Sequence, residues 1–387
     1  MLFDPEELKL RAVERTGFNN FGTQPMDDGL RALCTSLREE GELNAFGLEE
    51  AEKDIVATLC ERLRITDCLR QNPEILEEKL VPQIFVVGLP RTGTTALSQF
   101  LSEDPNARSV RRWEINCLTP PPDASIVGDP RLIAARKSYA IRRETRPDLN
   151  TILPVEAEDP AESGALLGLT FRNLDLISVY NIPSYAQWGM SQDLESGYRY
   201  FANTLQLMQW KTPGRHWNLK RPRDVLALDA IHAVFPEAIF VWTHRDPAKS
   251  IASLASLLTV MRRDRVDHID KLELMRTNLE YQAESIRRGL SARERIGEQF
   301  FVDSSQDELA RDIIGVIRTI YSEIGLPFTS VYEAHLKSRL ANRPRGQHGT
   351  HKYNSSEYGI TADEIRASFK EYLDRFDVLA SPAASYL

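Results

Sequence analysis

The sequence predicts an α/β protein: a parallel β-sheet flanked by helices, preceded by an N-terminal helical extension over residues 1–80. Three observations predict it. An apolar, β-branched run at residues 84–87 stops at Gly88 and is followed at once by an apolar helical pattern. Three further short runs, 216–219, 238–242 and 299–302, are separated by long helical stretches, and strands joined by long helical crossovers pair in parallel. Ahead of them, Leu48, Ala51, Ile55, Leu59 and Leu63 recur at three- and four-residue spacing with charges between, the stripe of an amphipathic helix.

The chain of 387 residues is long enough for two to three domain-sized units, or for one large α/β unit with decorations. Its texture changes at Val81, which divides the helical extension from a main unit over 81–387. With 48 basic and 56 acidic residues the net charge is −8, which argues against a general nucleic-acid binder, since phosphate backbones select broad basic surfaces. Cys34, Cys60, Cys68 and Cys117 form no CxxC pair and read as reduced thiols. The N-terminus mixes acids and bases without an apolar core, and no run of 18 apolar residues occurs, so the expectation is a cytoplasmic protein without a membrane span.

The segment Gly88-Leu-Pro-Arg-Thr-Gly-Thr-Thr95 lies between the first strand and a helix carrying Ala96, Leu97, Phe100 and Leu101. A tight turn from strand into helix leaves the first N–H groups of the helix without partners, and the aligned peptide dipoles favour an anion there. The spacing is P-loop-like, that of GxxxxGK[ST], except that Thr94 occupies the lysine position. That change disfavours a nucleoside triphosphatase, and Arg91 places a guanidinium inside the loop instead. A second strand-to-helix turn occurs at Trp242-Thr-His-Arg-Asp-Pro247, where Arg245 and Ser253, eight residues apart, are candidates for another phosphate. Residues 211–224 and 342–352 concentrate basic charge in this acidic chain, which fits a small polyanionic ligand.

Taken together these residues resemble the sulfotransferases that use 3′-phosphoadenosine 5′-phosphosulfate (PAPS). PRTGTT at 90–95 is similar to their 5′-phosphosulfate loop, and VWTHRDPAKSIAS at 241–253 to their 3′-phosphate motif. WNLKRPRDVLALDAIHAVFP at 217–236 is similar to the lysine-bearing segment of the bacterial and tyrosylprotein branches, and 343–361 to the basic loop that closes over the nucleotide. The resemblance implies direct in-line transfer of a sulfuryl group to an acceptor hydroxyl, or less readily an amine, without a required metal. It implies that Pro90, Arg91, Thr92, Gly93, Thr94 and Thr95 hold the 5′-phosphosulfate, that Arg245 and Ser253 hold the 3′-phosphate, and that Arg345, Gly346 and His348 cover the nucleotide. Lys220 then stabilises charge on the leaving oxygen, and Glu114, some twenty residues after the loop, takes the acceptor's proton. The family's tyrosine-bearing segment is replaced here by Val302-Asp-Ser-Ser-Gln-Asp-Glu-Leu309, which leaves the adenine contact open.

For the acceptor side, Glu162 in an acidic cluster and the aromatic residues Phe171, Tyr180, Tyr185 and Trp188 are the candidates for a small or lipid-like alcohol. His348 and His351 form HxxH without carboxylate or thiolate partners, so no metal site is expected. Two competing readings are a P-loop phosphotransferase using ATP and a non-enzymatic helical interaction protein on a degenerate nucleotide fold. The oligomeric state, homo-oligomer included, is open at this stage.

Overall fold

The computed structural model describes residues 2–115, 117–342 and 355–378. The chain begins with three helices, α1 (Pro5–Thr16), α2 (Asp27–Glu40) and α3 (Ala45–Gln71). Asp4 caps α1 by accepting from the Glu6 and Glu7 N–H groups, and Gly17, at φ 73°, ends it in the left-handed conformation that a side chain disfavours. The stripe expected from sequence is the buried face of α3, with Ala51, Ile55, Leu59 and Leu63 all inside. These helices share a core with Phe171, Leu174, Tyr180 and Tyr185. Arg62, fully buried on α3, donates to the carbonyls of Phe21, Gln24 and Leu169 and lies 4.7 Å from the Tyr200 ring centroid, tying the extension to the rest of the chain.

Five strands form the sheet: β1 (Gln83–Gly88), β2 (Ala107–Arg108), β3 (His216–Lys220), β4 (Ile239–His244) and β5 (Phe301–Ser305). Their order is β2-β3-β1-β4-β5, and every pairing is parallel. Four match the runs read from sequence to within a few residues, and β2, at two residues, is too short to leave a periodic signal. β1 is buried on both faces. Phe85 and Val87 join a core with Trp217, Phe240 and Trp242, while Ile84 and Val86 join another with Leu97, Ile317 and Tyr321.

The helix after β1, α4 (Thr94–Leu101), starts from the glycine-bearing turn at residues 88–93. Because β3 and β4 flank β1 on opposite sides, the chain leaves these strands in different directions and opens a crevice at their C-terminal ends, where open parallel sheets bind ligands. Among the described residues, no helix is long and apolar enough to cross a membrane. The four cysteines are free thiols.

Candidate active site

The turn after β1 has the backbone that its glycines permit. Gly88 has φ 134°, and a Cβ there would lie 2.6 Å from the Thr243 carbonyl oxygen; Gly93 has φ 95° and packs against Leu309 of the neighbouring turn. Arg91 takes φ 71° without being glycine. Gly93 is the N-cap of α4 and supplies no side chain to it, so the first N–H groups of the helix face the crevice without a side-chain cap. Thr92 serves the loop itself. Its hydroxyl donates to the Leu89 carbonyl at 2.7 Å and lies 2.6 Å from the Thr243 hydroxyl, which fastens the turn to β4.

The second turn meets the first. Arg245 Nη1 donates to the Arg91 carbonyl at 2.9 Å, and Arg91 Nε donates to Ser253 Oγ at 3.1 Å. The Asp246 carboxylate caps the helix Pro247–Arg262 through the Ala248 N–H and takes a hydrogen bond from Arg366 at 2.8 Å. Beside it His244 is buried between the Tyr372 hydroxyl, 3.0 Å from Nδ1, and the Asp303 carboxylate, 2.8 Å from Nε2. Burial lowers the pKa of this imidazole, with Asp303 opposing the shift, and the ring supports the turn from behind.

Lys220 brings a cation to the loop from β3. Pairing of β3 with β1 sets Lys220 opposite Val86, so its side chain leaves the sheet just below the turn. Its ammonium, 1% exposed, donates to Glu162 Oε1 at 2.8 Å and to Thr95 Oγ1 at 3.4 Å. Burial pulls the ammonium below the usual lysine range, while the Glu162 carboxylate pulls it back. Around this trio a cleft of about 500 Å³ is lined by Pro90, Arg91, Gly93, Thr94, Thr95, Arg112, Glu162 and Arg223, among others. Buried nitrogens of Arg112 (Nε) and Arg223 (Nε and Nη2) have no hydrogen-bond partner among the described residues. Unsatisfied guanidinium nitrogens in a basic cleft, beside an uncapped helix start, fit a phosphate- or sulfate-bearing ligand.

A family model for sulfotransferases matches residues 82–330. The chain belongs to the sulfotransferase family. Among solved structures, the sulfotransferase STF9 of Mycobacterium avium matches with a TM-score of 0.90 at 29% identity, covering 97% of both chains. The sulfotransferase STF1 of Mycobacterium tuberculosis H37Rv shares the fold, with a TM-score of 0.80 at 24% identity over 95% of this chain and 98% of its own. No curated protein gives a significant sequence match.

In this sulfotransferase the structure gathers Pro90, Arg91, Gly93, Thr94, Thr95, Glu162 and Lys220 at one cleft, with Ser253 and Arg245 bonded to Arg91 at its edge. It takes Glu114 elsewhere. That carboxylate, 2% exposed, is held by both terminal nitrogens of Arg108, at 3.0 and 2.8 Å, and by the Arg111 N–H at 2.7 Å, and it does not line the cleft. Glu114, expected from sequence at the acceptor, is turned instead to Arg108, which the β2–β3 pairing buries and which needs a counter-charge. Tyr185 and Trp188 stack on each other at 5.7 Å within the helical core, and the Tyr185 hydroxyl donates to the Phe171 carbonyl. Phe171 and Tyr180 line a separate cavity beside the cleft. Arg345, Gly346, His348 and His351 lie outside the described residues. Among the described residues no cluster of three or more His, Cys, Asp or Glu side chains could hold a metal.

Sequence reasoning missed Arg112, Arg223, Asn173, Asp175 and Gln306 as cleft residues. Arg223 carried a signal in the basic stretch 211–224, whereas Asn173 and Asp175 belong to a 3₁₀ turn whose placement depends on Arg221 and Arg223, which both bond Asp175. The segment that replaces the family's tyrosine-bearing one runs from β5 into a helix through a Ser305–Glu308 capping box, setting Gln306 and Leu309 against Gly93. It also walls an adjoining cavity of about 280 Å³ that Arg245 and His244 share.

Proposed function

We propose that this enzyme transfers the sulfuryl group of PAPS to an acceptor hydroxyl, with Glu162 taking the proton. The observation that carries the reading is the Lys220 ammonium shared between Glu162 and the loop hydroxyl of Thr95. The acceptor oxygen bonds to sulfur as the bond from sulfur to the bridging oxygen of the 5′-phosphate breaks. Its electron pair stays with the phosphate, so adenosine 3′,5′-bisphosphate leaves, and the acceptor's proton passes to the Glu162 carboxylate. Lys220 sits beside the transferring group as a buried cation, where the low-polarity surroundings strengthen its field. The N–H groups at the start of α4 and the Arg91 guanidinium hold the sulfonate and 5′-phosphate oxygens, while Arg245 and Ser253 receive the 3′-phosphate. A sulfuryl group carries less charge than a phosphoryl group, so these donors are matched to its transition state.

Glu162 replaces Glu114 in this scheme because it is half-exposed at the cleft and bonded to the catalytic-side lysine, whereas every oxygen of Glu114 is engaged by Arg108 and Arg111. The four free thiols favour a reducing compartment, which suits a cytoplasmic enzyme. The ATP phosphotransferase reading loses ground to Thr94 in the lysine slot and to the family membership. Thermal unfolding with ligands tests the donor: adenosine 3′,5′-bisphosphate is expected to raise the melting temperature and Mg-ATP to leave it unchanged. Stabilisation by Mg-ATP alone would overturn the proposal.

A further inference from the structure

An acceptor hydroxyl needs a body, and the structure holds room for one. A cavity of about 300 Å³ lies between the N-terminal helices and residues 165–180. It adjoins the donor cleft, since Ile115, Ala165 and Asn173 line both. Ala165 opens into the chamber from the helix Gly164–Gly168, three residues after Glu162, and both residues line the donor cleft. Beyond the junction most of the wall is apolar: Leu33 and Leu37 from α2, Ala51 and Ile55 from α3, and Leu169 and Phe171 opposite, all buried.

Several of the polar groups on these walls are already engaged. Glu61 Oε1 accepts from the Leu118 and Thr119 N–H groups, at 2.6 and 3.1 Å, and from the Thr119 hydroxyl. Asn173 Oδ1 accepts from the Asp175 N–H and from Arg221. The Tyr180 hydroxyl donates to Asp54 at 3.3 Å, at a rim where Asp54 and Ala57 are exposed to solvent. A chamber of this kind recognises a ligand by taking apolar surface out of water, and a hydroxyl-rich ligand would leave its polar groups unpaired against Leu, Ile and Phe.

We infer that this chamber is the acceptor site and that the N-terminal helices are therefore part of the active site. The acceptor is an alcohol with an apolar alkyl or aryl body. Its hydroxyl sits at the Ile115–Asn173 junction facing Glu162, and its far end points to the opening beside Asp54 and Ala57. The inference rests on the reading of the neighbouring cleft as the site of sulfuryl transfer.

The test is calorimetric binding of a series of n-alkanols to the full chain saturated with adenosine 3′,5′-bisphosphate. The wild-type protein is expected to gain about fourfold in affinity per methylene until the chamber is filled. Ala57→Trp, at the exposed rim, and Ala51→Leu, inside, are each expected to weaken the longer alkanols by about tenfold or more. Both should leave the bisphosphate dissociation constant at its wild-type value. If the bisphosphate binds but alkanol affinity ignores chain length, or both variants bind alkanols as the wild type does, the chamber is not the acceptor site. Tighter binding of a sugar alcohol than of the alkanols would overturn the inference equally. Failure of the wild-type chain to bind the bisphosphate at all strikes instead at the transfer reading on which the inference stands.

Discussion

Arg91 Nε donates to Ser253 Oγ at 3.1 Å, so a single guanidinium joins the turn after β1 to the helix that follows the turn after β4. Arg245 completes the junction by donating to the Arg91 carbonyl. Two turns more than 150 residues apart in sequence are thereby held together at one end of the sheet.

Arg245→Ala is expected to weaken adenosine 3′,5′-bisphosphate by about 10- to 150-fold, the loss of a hydrogen bond to a charged group. A nucleotide without the 3′-phosphate should lose far less. Equal losses for the two ligands, measured by titration calorimetry, would detach Arg245 from the 3′-phosphate.

Lys220→Met should separate activity from stability. The buried ammonium is replaced by an apolar side chain of similar length, and the Glu162 carboxylate it leaves behind is half-exposed and open to water, so stability is expected to shift by no more than about 1 kcal/mol, while turnover falls by roughly two to three orders of magnitude. A variant that loses stability in parallel with activity would point to a structural lysine.

Glu162→Gln removes the proposed proton acceptor and keeps a partner for Lys220. Turnover is expected to drop by roughly 10²–10⁴-fold with bisphosphate affinity retained. Full activity in this variant, measured with labelled donor, would move the base to another group.

Glu114→Ala tests the opposite assignment. Removing this carboxylate leaves Arg108 buried and uncompensated, at a cost of about 3–5 kcal/mol in urea unfolding. The folded fraction should still bind the bisphosphate. A stable variant with no turnover would restore Glu114 as the base.

Asp224 makes stability depend on pH. Burial pushes its carboxyl up to about 6, although Arg221 and the Tyr198 hydroxyl bond to it. The native state therefore holds this proton more tightly than the unfolded chain, whose carboxyl has the ordinary value of 3.8. Its stabilising contribution is complete below that value and is lost as pH rises through about 6. Asp303 has the opposite slope: burial raises its carboxyl, but Arg293 and His244 pull it down further, so its contribution is lost as pH falls. The difference in unfolding free energy between the wild type and Asp224→Asn, followed from pH 4 to about 7, isolates the Asp224 contribution. A difference that does not vary with pH would mean that Asp224 is ionised throughout.

Much of the fold is legible in the local pattern. Strands β1, β3, β4 and β5 are short apolar runs bounded by turns, and α3 shows its buried face as a three- and four-residue repeat, because periodicity follows directly from which side chains meet the core. The turn after β1 is legible for a local reason too: Gly88 and Gly93 stand where the backbone takes positive φ, and a side chain would strain or clash. β2 was not, since two residues carry no period.

The sequence by itself determined the strands, the helical extension and the two strand-to-helix turns, all of which depend on residues near one another in the chain. The tertiary structure decided which carboxylate faces the cleft. Glu114 and Glu162 are both plausible acids by residue type, but the first lies beside buried Arg108 and spends its oxygens there, while the Ser163 N–H bonded to the Lys220 carbonyl sets the second against the ammonium. It also decided that α2 and α3 wall a chamber next to the cleft. The Lys220–Glu162 pair and the two sides of the chamber are made between segments more than 50 residues apart, and no local pattern encodes which distant partner a side chain will meet.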